Sequence, residues 1–174
     1  ILGLESNGFH SNGFSLIRNI LSKKFKTLDF KTPYRSNYKL LYKDLLAPTK
    51  IYSRLILPLV YEKLITSMAH ITGGGLIENI GRALPKNYFA EIYIKQFCLP
   101  DRYQWLSKIG KISSNEMINT FNCGIGFVII IEKKNQKKVL DYFKQLKVNC
   151  YEMGRVSKGK HKHKVEIKKI SPWI

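Results

Sequence analysis

Three consecutive glycines, preceded by a histidine and a threonine, form the first candidate for chemistry in this sequence. The residues concerned are His70, Thr72, Gly73, Gly74 and Gly75. Because glycine has no Cβ, this backbone can adopt positive φ and allow a ligand to come close to its amides. Unpaired N–H groups at the start of a following helix are suited to binding phosphate. We therefore predict a substrate- or phosphate-binding loop, and the alternative interpretation is a tight turn that binds no ligand.

A second loop with polar side chains lies near residue 1. It contains His10, Ser11, Asn12 and Gly13, and so combines an imidazole, a hydroxyl, an amide and a flexible backbone. His10 is the candidate catalytic group, and the other three residues are candidate ligands of a substrate or phosphate. Ser11 or Asn12 could instead cap the following helix, since each offers a side-chain oxygen to first-turn amides. In that alternative, His10 is a structural histidine in a capped turn.

Both loops are predicted to join a strand to a helix. Hydrophobic periodicity predicts a strand at 1–6 and a helix from Phe14 around the first loop. It predicts a strand at 65–71 and a helix from Leu76 to Leu84 around the second. The run 125–131 is apolar on both faces, which predicts a central strand covered on both sides.

The remaining segments continue the mixture of strands and helices. They are a short helix at 39–45, either a strand turning into a helix or one helix at 51–64, a strand at 88–94, helices at 101–109 and 115–121, a helix capped by Asn135, and strands at 148–156 and 157–170. Ser113 or Ser114 is expected to cap the helix at 115–121. Pro58 predicts a break or a helix start within 51–64, because proline inside a helix costs about 3 kcal/mol. This order predicts a single domain, 1–174, of the α+β class (α/β-like), with a mixed β-sheet flanked by helices.

The composition bears on whether the chain binds nucleic acid. The formal charge is +18, with 30 Lys plus Arg against 12 Asp plus Glu. Such an excess suggests a polyanionic partner. However, only six of these cations are arginine, and the lysines are spread along the whole sequence. We therefore expect no nucleic-acid function, although a lysine-rich binding module remains the alternative from another class.

The sequence indicates neither a metal site nor a membrane segment. Cys98, Cys123 and Cys150 lack CxxC spacing, which predicts reduced thiols in a cytoplasmic protein. His161 and His163 lie in a lysine-rich tail, which we interpret as a solvated hairpin instead of a metal site. No charged leader precedes an apolar run, and the longest apolar run is far shorter than a membrane span. We therefore expect neither a signal peptide nor a transmembrane helix.

Four segments, in this order and spacing, resemble the phosphoribosylformylglycinamidine cyclo-ligase family, also called aminoimidazole ribonucleotide (AIR) synthetase. They are GLESNGFHSNGFSLIR at 3–18, LLAPTKIY at 45–52, AHITGGGLIENI at 69–80 with RALP at 82–85, and MINTFNCGIG at 117–126. The resemblance spans nearly the whole chain but covers only the carboxy-terminal half of the family enzyme. Glu5, Pro58 and the Lys/His tail depart from the family's pattern.

The resemblance implies a ligase of purine biosynthesis. The family transfers a phosphoryl group from ATP to the formamide oxygen of formylglycinamidine ribonucleotide, and an amidine nitrogen then closes the imidazole ring and expels phosphate. ATP and Mg²⁺ are implied for the complete enzyme, together with a homodimer and an amino-terminal ATP- and metal-binding domain that this chain lacks. We expect the isolated chain to be inactive, because no acidic cluster able to hold Mg²⁺–ATP is visible. A sister enzyme of the superfamily with another substrate is the second alternative.

The two glycine loops are expected to form one site. Ligands gather where strand ends and helix N-termini converge, so we place His10–Gly13 and His70–Gly75 on the same rim of the sheet. Which loop holds the ribose phosphate and which meets ATP stays open. We also expect the fold to tolerate a bulky β-branched residue at Gly74.

Overall fold

A computed structural model describes residues 1–25, 41–93 and 99–168. The helices are α1 (Phe14–Lys24), α2 (Leu41–Leu45), α3 (Ser53–Tyr61), α4 (Gly75–Arg82), α5 (Asp101–Gly110), α6 (Ser114–Thr120) and α7 (Gln136–Gln145). The strands are β1 (Leu2–Glu5), β2 (Ser67–His70), β3 (Tyr88–Tyr93), β4 (Ile125–Ile130), β5 (Cys150–Glu152), β6 (Gly154–Lys158) and β7 (Val165–Lys168). The predicted α+β class is confirmed. The predicted element ends at 39–40, at Ile94 and at 169–170 lie outside the described residues, as does Cys98.

The larger sheet has four antiparallel strands in the order β2-β4-β1-β5. Strand β4 lies between β2 and β1, with Val128 opposite both Ala69 and Gly3. Five of its six residues are buried. The prediction of a central strand in this apolar run is therefore confirmed.

The smaller sheet has three strands in the order β6-β3-β7. Strand β3 is antiparallel to β6 and parallel to β7. The prediction of one strand at 148–156 is wrong, because the chain leaves the larger sheet after β5 and enters the smaller one at β6. Met153, which lies where the chain passes from one sheet to the other, is buried. At the next residue, Gly154, a Cβ would overlap the Glu91 carbonyl. The predicted strand at 157–170 is likewise divided between the end of β6 and β7.

Apolar side chains fill the space on both faces of the larger sheet. On one face, Leu2, Leu4 and Ile129 pack against residues of α3 and α7. On the other face, Val128 and Ile130 belong to a cluster that includes α1, α4, α5, α6 and the smaller sheet. Because both faces are covered, the ends of the strands provide the accessible rim of this sheet.

Helix α3 continues through Pro58, so the predicted break at this residue is wrong. Ile56 and Leu59 are 3% and 1% exposed and hold the helix against the sheet. The Pro58 ring is exposed, and the helix ends three residues later. The proline therefore removes one helical N–H donor near the end of a well-packed segment, and the packing outweighs that loss.

Three predicted helix caps have different outcomes. The Ser113 cap is confirmed, because its hydroxyl accepts the Glu116 N–H at 3.2 Å. The predicted Ser11 or Asn12 cap of α1 is wrong, since Gly13, with φ of 70°, occupies that position without a side-chain bond. Asn135 also makes no side-chain cap bond, because a 3₁₀ turn at Lys133–Asn135 leads directly into α7.

The described residues contain no helix with the length and apolar character needed to cross a membrane. Cys123 and Cys150 are free thiols. Burial raises the pKa of the Cys150 thiol to about 12, so this thiol stays protonated near neutral pH.

Candidate functional site

The two glycine loops begin side by side at one end of the larger sheet. Strands β1 and β2 both run antiparallel to β4, and they end at Glu5 and His70. Glu5 lies opposite Ile125 and His70 lies opposite Phe127, both near the start of β4. The prediction that both loops lie on one rim of the sheet is therefore confirmed. The binding of a ligand by either loop stays a prediction.

A buried asparagine joins the two loops directly. Asn12 Nδ2 donates to the Ile71 carbonyl at 3.0 Å, and Asn12 is 3% exposed. The Ile71 N–H in turn donates to the Gly126 carbonyl of β4 at 2.9 Å. Asn12, which was predicted to bind substrate, thus contributes a structural link between the loops.

Asn79 of α4 sets the orientation of the second loop. Its Nδ2 lies 3.2 Å from the Thr72 and Gly73 carbonyls and 2.8 Å from the Gly75 carbonyl. In a trans peptide group the N–H points opposite to the C=O. The N–H groups of Gly73 and Gly74 are therefore directed away from Asn79.

Asn122 has the same relation to the first loop. This side chain is fully buried, and its Nδ2 lies 3.1 Å from the Gly8 carbonyl and 3.3 Å from the Phe9 carbonyl. Its Oδ1 accepts bonds from the Ser6 hydroxyl, the Tyr103 hydroxyl and the Gly124 N–H at 2.7 to 2.9 Å. By the same peptide geometry, the N–H groups of Phe9 and His10 point away from Asn122.

Neither asparagine was predicted to belong to the site. Asn79 lies on the buried face of α4 beside Leu76 and Ile80, and Asn122 stands between buried Phe121 and Cys123. A polar amide at an otherwise apolar position needs hydrogen-bond partners. A polar amide among apolar neighbours was therefore the sequence signal by which both residues could have been found. It does not identify their hydrogen-bond partners.

Packing explains three of the predicted loop glycines and leaves one unexplained. Gly13, Gly74 and Gly75 have φ of 70°, 92° and 60°, and a Cβ at Gly75 would overlap the Ile118 carbonyl. The expectation that Gly74 tolerates a β-branched residue is therefore wrong, because positive φ strains such a side chain. Gly73 has no neighbour within 4 Å of an added Cβ. The open space beside Gly73 is where a ligand can approach the loop.

Solvent exposure divides the predicted site residues into two groups. The exposed residues are Ser11, His70, Thr72 and Gly73, the buried ones are His10, Asn12 and Gly75, and Gly13 and Gly74 are half-buried. The exposed group can contact a ligand from solvent, whereas the buried group supports the loops.

The hydrogen bonds around His10 assign its tautomer. Asn7 Nδ2 donates to the Pro48 carbonyl at 2.9 Å, so Asn7 Oδ1 faces the imidazole, 2.7 Å from His10 Nε2. An amide oxygen only accepts hydrogen bonds, so Nε2 carries the proton. His10 Nδ1 is then the unprotonated nitrogen, and it is buried without a hydrogen-bond partner among the described residues.

His10 is a neutral imidazole near neutral pH. Burial, followed by the positive fields of His70, Arg102 and Lys50, lowers the pKa of His10 to about 4. The residue is 5% exposed, and its φ is 55°. His10 therefore cannot offer a positive charge to phosphate at pH 7, and its contacts favour a positioning role in the first loop.

A cleft of about 450 Å³ adjoins the second loop. Three rings, those of Tyr52, His70 and Phe127, form one wall, with centroids 5.2 to 5.9 Å apart. Burial lowers the pKa of His70. Lys50 also lines this cleft and is 3.4 Å from Glu5 Oε1. The cleft is lined mainly by apolar side chains, with Lys50 and His70 as its basic side chains.

A second cleft, also about 450 Å³, adjoins the first loop. It is lined by His10, Ser11, Phe14 and the segment Leu45–Thr49. The segment is held close because Asn7 bonds Pro48 and because Gly8 leaves no room for a Cβ beside Ala47. The Ala47-Pro48-Thr49 sequence therefore forms the outer wall of the first loop.

The described residues contain no group of three or more His, Cys, Asp or Glu side chains placed to bind a metal. His161 stacks on Phe89 at 4.6 Å between ring centroids, and its Nε2 is 3.3 Å from Glu166 Oε2. Glu166 is an acidic neighbour that the sequence interpretation did not include. These contacts attach the lysine-rich tail to the smaller sheet.

Comparison with known proteins assigns most of the chain to one family. Residues 1–166 match the family model described as AIR synthase related protein, C-terminal domain. Phosphoribosylformylglycinamidine cyclo-ligase of Neisseria meningitidis serogroup C is 42% identical over 156 residues, which are 90% of this chain and 44% of that protein. The enzyme of the same name from Staphylococcus carnosus is 38% identical over 91% of this chain and 45% of its own length. The chain thus spans about half the length of these relatives.

A solved structure has the same fold at low sequence identity. Thiamine-monophosphate kinase from Stenotrophomonas maltophilia K279a aligns with a TM-score of 0.60 and 15% identity. The alignment covers 95% of this chain and 49% of that chain. At this identity the likeness concerns the fold alone.

Proposed function

Because this chain belongs to the family of AIR synthase related protein, C-terminal domain, we propose that it supplies the substrate-binding loops of a phosphoribosylformylglycinamidine cyclo-ligase. Relatives at about 40% identity bear that name. The complete enzyme would close formylglycinamidine ribonucleotide to aminoimidazole ribonucleotide in purine biosynthesis, with ATP as phosphoryl donor. The observation that supports this proposal best is the meeting of both glycine loops at the start of β4.

The loops are proposed to bind the negatively charged parts of the substrates. The Gly73 and Gly74 N–H groups, directed away from Asn79, would donate to phosphate oxygens. Ser11, His70 and Thr72 have exposed side chains on the same rim and would contact the rest of the nucleotide. Fixed donors of this kind stabilise charge that develops on oxygen during phosphoryl transfer.

His10 is proposed to position the first loop and not to act as a cation. Its pKa of about 4 leaves it uncharged at physiological pH. The choice between a catalytic and a positioning role is testable, because loss of a positioning contact raises KM more than it lowers kcat.

Magnesium is proposed to be bound outside the described residues. Mg²⁺ prefers carboxylate and phosphate oxygens in octahedral geometry, and the described residues offer no carboxylate cluster for it. The described residues therefore do not fit this ion, and the amino-terminal half found in the relatives would have to supply its ligands. The implied homodimer and the cytoplasmic location likewise stay predictions.

Turnover measurements test the proposal. The purified chain with ATP and formylglycinamidine ribonucleotide should form no aminoimidazole ribonucleotide above background. A fusion that places the amino-terminal half of the Neisseria meningitidis relative ahead of residue 1 should form it. Product formation by the chain alone would refute the expected inactivity. Failure of a folded fusion, together with turnover of another phosphoryl acceptor, would favour the sister-enzyme alternative.

The nucleic-acid alternative is not favoured. The compared relatives are named phosphoribosylformylglycinamidine cyclo-ligases. Binding of RNA or DNA that weakens steeply with added salt would support that alternative.

A further inference from the structure

The lysine-rich tail reaches the last turn of α4. The Lys164 carbonyl accepts the Ala90 N–H of β3 at 2.9 Å, so the backbone of Lys164 is bonded to the smaller sheet. Its ammonium donates to the Leu84 carbonyl at 2.7 Å, and Nζ lies 3.4 Å from the Gly81 carbonyl. Gly81 is in the last turn of α4, and Leu84 lies just beyond the end of the helix. One side chain therefore joins the smaller sheet to the C-terminal end of α4.

The sequence at the end of α4 leaves carbonyls that need such a donor. The last carbonyls of a helix have no partner within the helix. Residue 85, whose N–H would bond the Gly81 carbonyl in a longer helix, is a proline and has no N–H. The Gly81 carbonyl accepts the Leu84 N–H at 3.3 Å, and the Ala83 carbonyl accepts the Ser67 hydroxyl at 2.7 Å. The helix dipole also favours a positive group at this end, so an ammonium suits the position better than a neutral donor.

Close packing at the same place makes the link between α4 and β7 short. Gly81 is buried, and a Cβ built on it would lie 3.6 Å from Val165 Cγ2 and 3.8 Å from Lys164 Cβ. Val165 is 6% exposed and lies opposite Ala90 in the parallel pair of β7 and β3. The last turn of α4 therefore rests on the beginning of β7, and Lys164 fastens the helix where it meets that strand.

The other end of α4 begins at the second glycine loop. Asn79, within the helix, bonds carbonyls of the loop and so directs the Gly73 and Gly74 N–H groups. The helix has eight residues, which makes it about 12 Å long. That length exceeds the Debye length of about 8 Å at physiological ionic strength, so the charge of Lys164 is largely screened at the loop. Lys164 therefore affects the loop through the position of α4 and not through its field.

We propose that Lys164 is a positioning residue of the second glycine loop. Its ammonium holds the C-terminal end of α4 on the smaller sheet, and Asn79 transmits the position of the helix to the loop amides. The lysine-rich tail thereby supports substrate binding without contacting the substrate. This inference rests on the proposed function for the identity of the ligand, formylglycinamidine ribonucleotide, and on the bonds of Lys164 for the placement of α4.

Lys164→Met tests the proposal, because methionine keeps an unbranched side chain and lacks the ammonium. Lys164 is exposed as a whole, so the variant should fold. Without ligand, NMR should show faster hydrogen exchange of the α4 amides and shifted amide resonances of Gly73 and Gly74. In a titration with formylglycinamidine ribonucleotide the dissociation constant should rise about two- to fivefold, since a link changes binding by no more than the free energy that a charged group contributes at a helix end.

Three further variants separate positioning from a general loss of stability. Lys162→Met, at an exposed position in the same tail, should leave exchange, resonances and affinity unchanged. Lys164→Arg restores a cation and should recover most of the affinity. Val139→Ala removes buried side-chain atoms of α7 on the other face of the larger sheet. It should lower the free energy of unfolding and leave the Gly73 and Gly74 resonances in place.

Two results would overturn the proposal. One is a Lys164→Met chain whose α4 exchange and loop resonances equal those of Lys162→Met, and the other is an equal loss of affinity in Lys164→Met and Val139→Ala. If Lys164→Met does not fold, Lys164→Gln should show the same changes at smaller size, and unchanged loop resonances in that variant would contradict the proposal equally. Exchange and resonances are measured without ligand, whereas a failure of the unsubstituted chain to bind formylglycinamidine ribonucleotide would count against the proposed function alone.

Discussion

Two buried amides determine which backbone groups the glycine loops present. Asn79 and Asn122 each bond loop carbonyls, so the N–H groups of the same peptide planes face the opposite side. Sequence reasoning identified the glycines and His10, because loop residues next to helix starts have local signals. It missed Asn122 as a partner of the first loop, since Asn122 lies 114 residues from Gly8 and no local pattern indicates such a contact.

The two ends of the glycine triplet should respond differently to alanine. Gly73→Ala should change the free energy of unfolding by less than about 0.5 kcal/mol, because its Cβ has no neighbour within 4 Å. The same variant should weaken binding of formylglycinamidine ribonucleotide, because the methyl group occupies the approach to the loop amides. Urea denaturation and calorimetric titration measure the two effects.

Gly75→Ala is the matched comparison. It should destabilise the chain by about 2 kcal/mol or more, because a Cβ there overlaps the Ile118 carbonyl at a φ of 60°. Equal stability of the two variants would contradict this assignment of the glycines.

The stability of the chain should depend on the protonation of His10. Its folded pKa of about 4 lies below the ordinary histidine pKa of about 6.5, so between these values the unfolded chain binds more protons than the folded one. Stability should therefore fall as the pH decreases from 6.5 to 4, and His10→Gln should flatten that part of the curve. Burial lowers the pKa of His70 as well, so part of the slope should remain in the variant. A His10 NMR resonance that titrates near pH 6.5 would contradict the neutral assignment.

At the scale of elements, periodicity located the buried strand and most helices. It failed where tertiary contacts outweighed local preference. Helix α3 passes through Pro58 because Ile56 and Leu59 pack against the sheet. The segment 148–156 has a continuous strand pattern, yet Met153 and Gly154 direct the chain from one sheet into the other. Neither the packing of α3 against the sheet nor the passage of the chain between the two sheets is visible in a local window of sequence.

Removing the proline should stabilise α3. Pro58→Ala restores an N–H donor inside the helix, and the exposed ring contributes little packing. We expect a gain of about 1 to 3 kcal/mol in the free energy of unfolding, measured in urea. Leu59→Ala, at a position 1% exposed, should instead cost about 2 to 5 kcal/mol. A loss of stability in Pro58→Ala would show that the proline is required by the local backbone.

At the scale of the whole molecule, the larger sheet brings two loops that are 60 residues apart in sequence to one rim. Strands β1 and β2 achieve this because both are antiparallel to β4. Residue types and the order of elements predicted the loops and the fold class, whereas the division into two sheets and the exposure of apolar side chains on α3 and β2 emerged only from the structure. Surface exposure depends on which helices cover which face, and the sequence pattern alone does not specify that arrangement.

An NMR titration of the chain with formylglycinamidine ribonucleotide tests the shared site most directly. The amides of Phe9 and His10 report on the first loop, and those of Gly73 and Gly74 report on the second. If the loops form one site, all four amide resonances should shift along the titration with a single dissociation constant. Shifts confined to one loop, two separate constants, or no shift in either loop would contradict the shared site.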